Sequence, residues 1–286
     1  MYVVSGATGH TGSAVAKTLL EKNLPVRVIV RNREKAAELE KLGSEIAIAD
    51  LQDSEAVSEA LKGATVLYLM NPPSYQAEDQ FAELEKVINS FQTAIENSAL
   101  EKIVVLSSIG GQLSSGTGNI LTAYKLEKAF GNLDIPVTFI RAGSFMENWN
   151  PVLETAKTQG ILPSFYQPLD QKVPQIAAFD IGRVAAAEMQ EKTIGKKIIE
   201  LAGFWLSPAE SAEIIGKVLG KEVNSIAVPE DQWVGILSHH NSSKNAESLA
   251  EMFSGFNSGH IKFETQEYLP GKIDFEEFVR KAFSKI

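Results

Sequence analysis

Three glycines near the start of the chain have a spacing that suits phosphate binding. Gly6, Gly9 and Gly12 directly follow the β-branched run at residues 2–5 and open a helical pattern. In a strand–turn–helix unit, the first glycine permits the turn, the second lets the backbone approach a pyrophosphate, and the third allows close helix–strand packing. The free N–H groups of the first helical turn then bind the phosphates. We predict a dinucleotide-binding loop made of Gly6, Ala7, Thr8, Gly9, His10, Thr11 and Gly12.

Cations follow the second predicted strand, where an NAD site would place an acidic residue to accept a hydrogen bond from the ribose 2′-hydroxyl. This chain has Arg31 at the strand end, with Arg33 and Lys35 close by. A 2′-phosphate suits cations, and a bidentate arginine suits it best. We therefore predict NADP(H) as the cofactor, held by Arg31 and Lys35. For Arg33 a solvated charged turn is an equally good interpretation.

Two later strand ends should complete the cofactor cleft, because ligands of such sheets bind at the carboxyl ends of the strands. Asp50 and Leu51 follow the third strand, where a contact with the adenine edge is expected. Asp50 could equally be a helix N-cap without a ligand role. The fourth strand is followed by Met70, Asn71, Pro72 and Pro73. The rigid backbone there, which has few donors, is predicted to line the cleft.

A tyrosine and a lysine are candidates for acid catalysis. Tyr124 and Lys128 are four residues apart on a predicted helix, which places them on one face. The lysine could lower the tyrosine pKa and anchor the nicotinamide ribose, while the tyrosine donates a proton. Ser108, or the neighbouring Ser107, could bind a substrate carbonyl. The alternative is an ordinary amphipathic helix, in which this spacing has arisen by chance.

A run of large side chains follows the sixth predicted strand. Phe145, Met146, Asn148 and Trp149 would form an aromatic, polarizable wall suited to a flat ring, and they mark the predicted substrate side. Packing of these side chains into a core between two lobes is the competing interpretation.

The elements that must position these residues alternate between short apolar strands and longer helices as far as Arg141. This alternation predicts an α/β fold, a Rossmann-type doubly wound parallel sheet, with a smaller C-terminal α+β lobe. We place the NADP-binding domain at residues 1–148, with the last sheet strands drawn from 172–204, and the substrate-side lobe at 149–286. In the second half, Asp180 is predicted to cap one helix, and Ser207 with Glu210 to begin another.

Composition narrows the class of partner. The chain has 27 Lys and Arg against 36 Asp and Glu, a net charge of −9, which argues against direct binding to nucleic acid or an anionic membrane. With no cysteine there is no disulfide or thiolate chemistry.

His239 and His240 are adjacent and would diverge on a helix, so we interpret them as surface residues and predict no metal site. Without a signal peptide or long apolar run, we predict a cytoplasmic protein and leave a homodimer open.

Several motifs, in order along nearly the whole chain, resemble the NmrA-like family, an atypical branch of the short-chain dehydrogenases/reductases. They are GATGHTG, VRNREKA, LYLMNPPS, VVLSSIGG, FIRAGSFMENW, FDIGRVAA and LSPAESAEIIGKVLGK. The resemblance implies a Rossmann fold and NADP(H), and the family includes NADPH-dependent quinone oxidoreductases and NADP-sensing regulators. Our leading hypothesis is an NADPH-dependent oxidoreductase that reduces a quinone-like or small aromatic carbonyl acceptor. A non-catalytic NADP(H) sensor is the second hypothesis, and a nucleotide-sugar epimerase the third, because the extended catalytic loop usual for an epimerase is not evident.

Overall fold

Strands and helices alternate strictly through the first half of the chain in the computed structural model, which describes residues 1–284. The elements of this half are β1 (Tyr2–Val4), α1 (His10–Leu20), β2 (Val26–Val30), α2 (Ala37–Lys41), β3 (Glu45–Ile48), α3 (Ser54–Ala60), β4 (Val66–Leu69), α4 (Gln80–Glu96), β5 (Lys102–Ser108), α5 (Leu121–Phe130) and β6 (Val137–Ala142).

The second half mixes shorter strands with helices. Its elements are β7 (Ser144–Phe145), α6 (Asn150–Gln159), β8 (Ile161–Ser164), β9 (Val173–Ile176), α7 (Ala178–Gln190), β10 (Lys196–Ala202), β11 (Phe204–Leu206), α8 (Pro208–Leu219), β12 (Asn224–Ala227), α9 (Trp233–Leu237), α10 (Ser243–Asn257), β13 (Leu269–Pro270) and α11 (Phe275–Phe283).

Eight parallel strands form the central sheet, in the order β13-β10-β6-β5-β4-β1-β2-β3. Tyr2 pairs with Val26 on one side and Val66 on the other, so the strand order reverses between β1 and β4. A ligand crevice is expected at the carboxyl ends of the strands flanking such a reversal. The predicted doubly wound α/β fold is confirmed.

Two apolar layers cover the sheet because its strands are buried on both faces. Helices α1, α2 and α7 pack on one face, and α3, α4 and α5 on the other. A third core, formed by α6, α8, α10 and α11 around Met146 and Trp149, belongs to the smaller lobe. The chain returns from this lobe to the sheet through β10 and β13, whereas β9 joins β7 and β11 in a separate three-stranded sheet.

The start of α7 differs from the prediction. The helix begins at Ala178, and Asp180 lies inside its first turn rather than at the N-cap. The Asp180 side chain is buried and accepts hydrogen bonds from the backbone N–H groups of Lys272 and Ile273. Glu147 accepts from the N–H of Ala178 instead, so a distant carboxylate satisfies the helix start.

The start of α8 follows the prediction. Ser207 accepts from the Glu210 N–H at 3.1 Å, and the Glu210 carboxylate accepts from the Ser207 N–H at 2.9 Å, which completes a capping box. Across residues 1–284, every helix is too short or too polar to cross a membrane.

Candidate functional site

A cavity of about 260 Å³ opens where the strand order reverses, between the carboxyl ends of β1, β2 and β4. Its lining comes from four consecutive strand ends, as the crevice of a doubly wound sheet should. The lining residues are Gly6, Thr8, Gly9, Ile29, Val30, Arg31, Ala49, Asp50, Leu51, Gln52, Met70, Asn71, Pro72, Pro73, Ser74 and Val87.

The glycine loop has the geometry that a phosphate cradle needs. Gly6 has φ +63°, a left-handed conformation that glycine adopts at low cost. A Cβ on Gly12 would lie 2.3 Å from the Gly6 carbonyl oxygen, so only glycine fits there. A Cβ on Gly9 would make one tight contact, with that oxygen at 3.3 Å, and would otherwise lie clear of the rest of the described chain. The loop can therefore accept a pyrophosphate against the first turn of α1.

The three cations after β2 have different surroundings. Arg31 lines the cavity, and among residues 1–284 its guanidinium has no hydrogen-bond or ion-pair partner. Arg33 forms an ion pair with Glu40, which supports its interpretation as part of a charged surface turn. Lys35 is exposed on a short 3-10 helix outside the cavity lining. A free cation at the cavity edge suits a 2′-phosphate.

Of the other predicted cofactor residues, some line the cavity and some lie in the first turn of α1 outside the lining. Asp50 lines the cavity and accepts from the N–H of Gln52 at 3.0 Å, so it closes a turn. It is not the cap of α3, because Asp53 accepts from the N–H groups at that helix start. His10, Thr11 and Gly12 lie in the first turn of α1 outside the lining, and Thr11 and Gly12 are buried.

A second cavity of about 160 Å³ adjoins the first, and Asn71 lines both. Its walls come from the end of β5, the start of α5 and Phe145, and none of the side chains that line it is charged. An uncharged cavity with an aromatic wall suits a flat, neutral ring. The lining residues are Asn71, Leu106, Ser107, Ser108, Thr122, Ala123, Leu126 and Phe145.

Tyr124 and Lys128 share a face of α5, as predicted, with the Lys128 ammonium 5.3 Å from the Tyr124 ring centroid. The structure does not bring this pair to the lining of the second cavity. Successive residues of a helix are rotated by about 100° around its axis. The preceding pair, Ala123 and Glu127, therefore faces the sheet, and Tyr124 and Lys128 do not. Ala123 lines the cavity, while Glu127 bonds to Ser107.

A buried charge network lies behind Ser107. The Ser107 hydroxyl donates to Glu127 at 2.6 Å, and the guanidinium of Arg141 binds both oxygens of Glu127 at 2.8 Å. Arg141 also contacts Glu264 at 2.5 Å and lies 3.8 Å from Glu200. Burial lowers the pKa of Arg141, but the hydrogen bonds to Glu127 and Glu264 outweigh it and raise that pKa. The network joins β5, β6 and β10 to α5 and to the chain before β13.

The predicted substrate residues also separate. Phe145 lines the second cavity, but Met146 and Trp149 are buried in the core of the smaller lobe. Asn148 is exposed and donates to the Ser144 hydroxyl at 3.3 Å. The alternative of core packing thus describes Met146 and Trp149. The indole N–H of Trp149 donates to the side chain of the buried Gln175.

A parallel sheet with a glycine loop at its switch point defines a Rossmann-type dinucleotide-binding protein. The model of the NmrA-like family matches residues 2–279, and the chain belongs to this family. It is 29% identical over 186 residues to the NAD(P)H azoreductase of Xenophilus azovorans, covering 65% of this chain and 62% of that protein. It is 28% identical over 164 residues to quinone oxidoreductase 2 of Escherichia coli, covering 56% and 54%. The matched part of the chain thus spans less than two thirds of these relatives.

Among solved structures, the chain resembles an NADPH-dependent quinone oxidoreductase from Escherichia coli. That likeness has a TM-score of 0.79 with 25% identity, and it covers 99% of this chain and 100% of the other. The resemblance to the NmrA-like family that the motifs suggested is therefore confirmed. The azoreductase is an NAD(P)H-dependent enzyme, and the quinone oxidoreductase of known structure is NADPH-dependent.

Sequence reasoning missed several lining residues. Gln52 and Ser74 directly follow residues that were predicted, so a wider window around each strand end would have included them. Thr122, Ala123 and Leu126 carry no such signal, because an alanine and a leucine on a helix read as ordinary core.

Proposed function

We propose that this protein is an NADPH-dependent oxidoreductase that reduces a quinone-like or small aromatic carbonyl acceptor. One observation carries the proposal: Asn71 lines both of the two cavities. One is edged by Arg31, which has no hydrogen-bond or ion-pair partner in the described part of the chain, and the other is uncharged and has Phe145 in its wall. A ligand spanning both would place its 2′-phosphate near Arg31 and its redox ring near Phe145. The names of the relatives, an azoreductase and quinone oxidoreductases, support the same class of reaction.

In this proposal the residues have separate tasks. The glycine loop binds the pyrophosphate, Arg31 and Lys35 bind the 2′-phosphate, and Phe145 orients the acceptor ring. Bound NADPH supplies the hydride. A quinone accepts hydride readily, so the protein contributes mainly by positioning the two rings and excluding water.

The deciding experiment is a screen of NADPH oxidation against simple quinones and aromatic carbonyls, with NADH in parallel. Steady turnover with quinones and a preference for NADPH would support the proposal. Tight binding of NADP⁺ and NADPH with no turnover across the screen would favour the sensor hypothesis instead.

Cofactor choice provides a first quantitative prediction. Replacing Arg31 and Lys35 together with Ala should weaken NADPH binding by about 2–4 kcal/mol, because two charge-assisted contacts are lost. NADH, which lacks the 2′-phosphate, should bind with nearly unchanged affinity. Titration calorimetry measures both. Arg33→Ala is the matched control, since Arg33 pairs with Glu40, and it should leave both affinities unchanged. Equal losses for the two cofactors would reject the 2′-phosphate assignment.

The proton source provides a second prediction. Tyr124→Phe should reduce quinone turnover by less than about tenfold, because Tyr124 is not in the cavity lining and a quinone can take its proton from water after hydride transfer. Steady-state kinetics at saturating NADPH measures the effect. In the companion variant Lys128→Met, an unchanged NADPH dissociation constant is expected, since Lys128 lies over the Tyr124 ring. A loss beyond a hundredfold in Tyr124→Phe, with NADPH affinity intact, would make Tyr124 the catalytic acid.

A further inference from the structure

The loop between β4 and α4, residues 71–79, connects the cofactor cavity to the smaller lobe. Its first half, from Asn71 to Ser74, lines the cavity. Its second half contacts the start of α10, which follows it by about 170 residues in the chain. The loop forms neither helix nor strand, so contacts made by its own polar groups must maintain its shape.

Asn245 supplies most of those contacts. Its side chain is 2% exposed, and its Nδ2 donates to the carbonyl oxygens of Ser74 and Tyr75 at 2.9 Å and of Ala77 at 3.3 Å. Two further hydrogen bonds join the loop to the chain just before α10. The Ser242 N–H donates to the Tyr75 carbonyl, and the Gln76 side-chain amide donates to the His240 carbonyl. One buried amide therefore collects three carbonyls of the loop.

The three loop groups that contact Asn245 are all hydrogen-bond acceptors. Three converging carbonyl oxygens are acceptors only, so the group between them must be a donor. A side-chain amide provides two N–H groups without a charge. A carboxylate of the same shape would offer only lone pairs and would repel all three oxygens.

We propose that Asn245 is a positioning residue for the cofactor: by holding the carbonyls of Ser74, Tyr75 and Ala77, it sets the cavity wall from Asn71 to Ser74. The inference rests on the proposed cofactor. Because a coupling between two sites is reciprocal, cofactor binding should in turn stabilise the junction of α9 and α10. The smaller lobe then takes part in cofactor binding without lining the cofactor cavity.

The test is Asn245→Asp, which keeps the shape of the side chain and removes its donors. At pH 8 we expect the Kd for NADP⁺, the acid-stable form of the cofactor, to rise by about tenfold or more. Burial and the carbonyls raise the pKa of the introduced carboxyl, so acidification to pH 6 should protonate it and restore a donor. The ratio of variant to wild-type Kd should then fall toward one. The charged or ionisable side chains around this contact are those of Asp79, Lys125, His240, Lys244 and Glu247. Taking the ratio at each pH removes the effects on cofactor binding that the variant shares with the wild-type protein.

Asn257→Asp is the matched control on the same helix. Asn257 donates to the Phe165 carbonyl and accepts from the Gln167 N–H, so it contacts the smaller lobe and not the loop. This variant should lose stability with no change in the Kd for NADP⁺. A Kd for NADP⁺ in Asn245→Asp at pH 8 equal to that of the wild type would overturn the inference. An increase in Kd that does not depend on pH and that the Asn257→Asp control also shows would overturn it as well.

Hydrogen exchange in the wild-type protein tests the reciprocal effect without any variant. Saturating NADP⁺ should slow amide exchange across residues 242–247, and unchanged exchange there in the bound protein would contradict the coupling. If the wild-type protein does not bind NADP⁺ at all, the proposed function fails first, and the two failures are thereby distinguished.

Discussion

Gly9→Val should abolish detectable NADPH binding while leaving the protein folded. The backbone of Gly9 is extended, with φ −90° and ψ 176°, which valine adopts without strain. A Cβ there would meet only the Gly6 carbonyl oxygen, at 3.3 Å, so a shift of a few tenths of an ångström in the loop relieves the contact. The valine methyl groups would instead occupy the space where the pyrophosphate approaches the helix start. We expect a loss of about a thousandfold or more in affinity, or ~4 kcal/mol.

Two other glycine substitutions make this prediction specific. Gly235→Val, in α9, adds the same side chain where no atom lies within 4 Å, and it should leave NADPH affinity unchanged. Gly12→Ala should instead unfold the loop, because its Cβ would lie 2.3 Å from the Gly6 carbonyl oxygen. Calorimetry and thermal melting separate lost binding from lost folding. An NADPH affinity in Gly9→Val close to that of the wild type would remove the phosphate loop from the proposal.

Arg141→Met should reduce the free energy of unfolding by about 3–5 kcal/mol, because it leaves the largely buried carboxylate of Glu127 and the buried carboxylate of Glu200 without their cation. The Arg141 side chain is 3% exposed, so water has little access to the carboxylates that lose the guanidinium. Urea unfolding measures the effect. The same substitution at Arg280, whose ion pair with Glu276 is on the surface, should cost less than about 1 kcal/mol. A loss in Arg141→Met as small as that of the control would mean that the network contributes little to stability.

Local patterns were sufficient to predict many of the residues that line the larger cavity. The glycine loop, the strand before it and the helix after it are one contiguous unit, and the cation after β2 follows from where that strand ends. Because a parallel sheet brings successive strand ends to one edge, Asp50 and Asn71 could be placed in the same cleft as Gly9. The same alternation of strands and helices predicted the doubly wound fold.

Tertiary packing decided which residues line the smaller cavity. Whether Tyr124 or Ala123 faces the cavity depends on the rotation of α5 against the sheet, which the burial of Leu126 and Phe130 determines and spacing alone does not. The buried Asp180 likewise reads as a cap in the sequence, but its partners Lys272 and Ile273 lie about 90 residues away.

The sequence by itself determined the fold class, the family and the position of the glycine loop, since each depends on residues close together in the chain or on a repeated local pattern. Only the tertiary structure revealed the Arg141 network and the contact of Asn245 with the cofactor loop. Both include partners more than 100 residues apart in the chain, Arg141 with Glu264 and Asn245 with Ser74. Such pairs form only when separate elements pack together, and their residue types read in sequence as ordinary surface charges and amides.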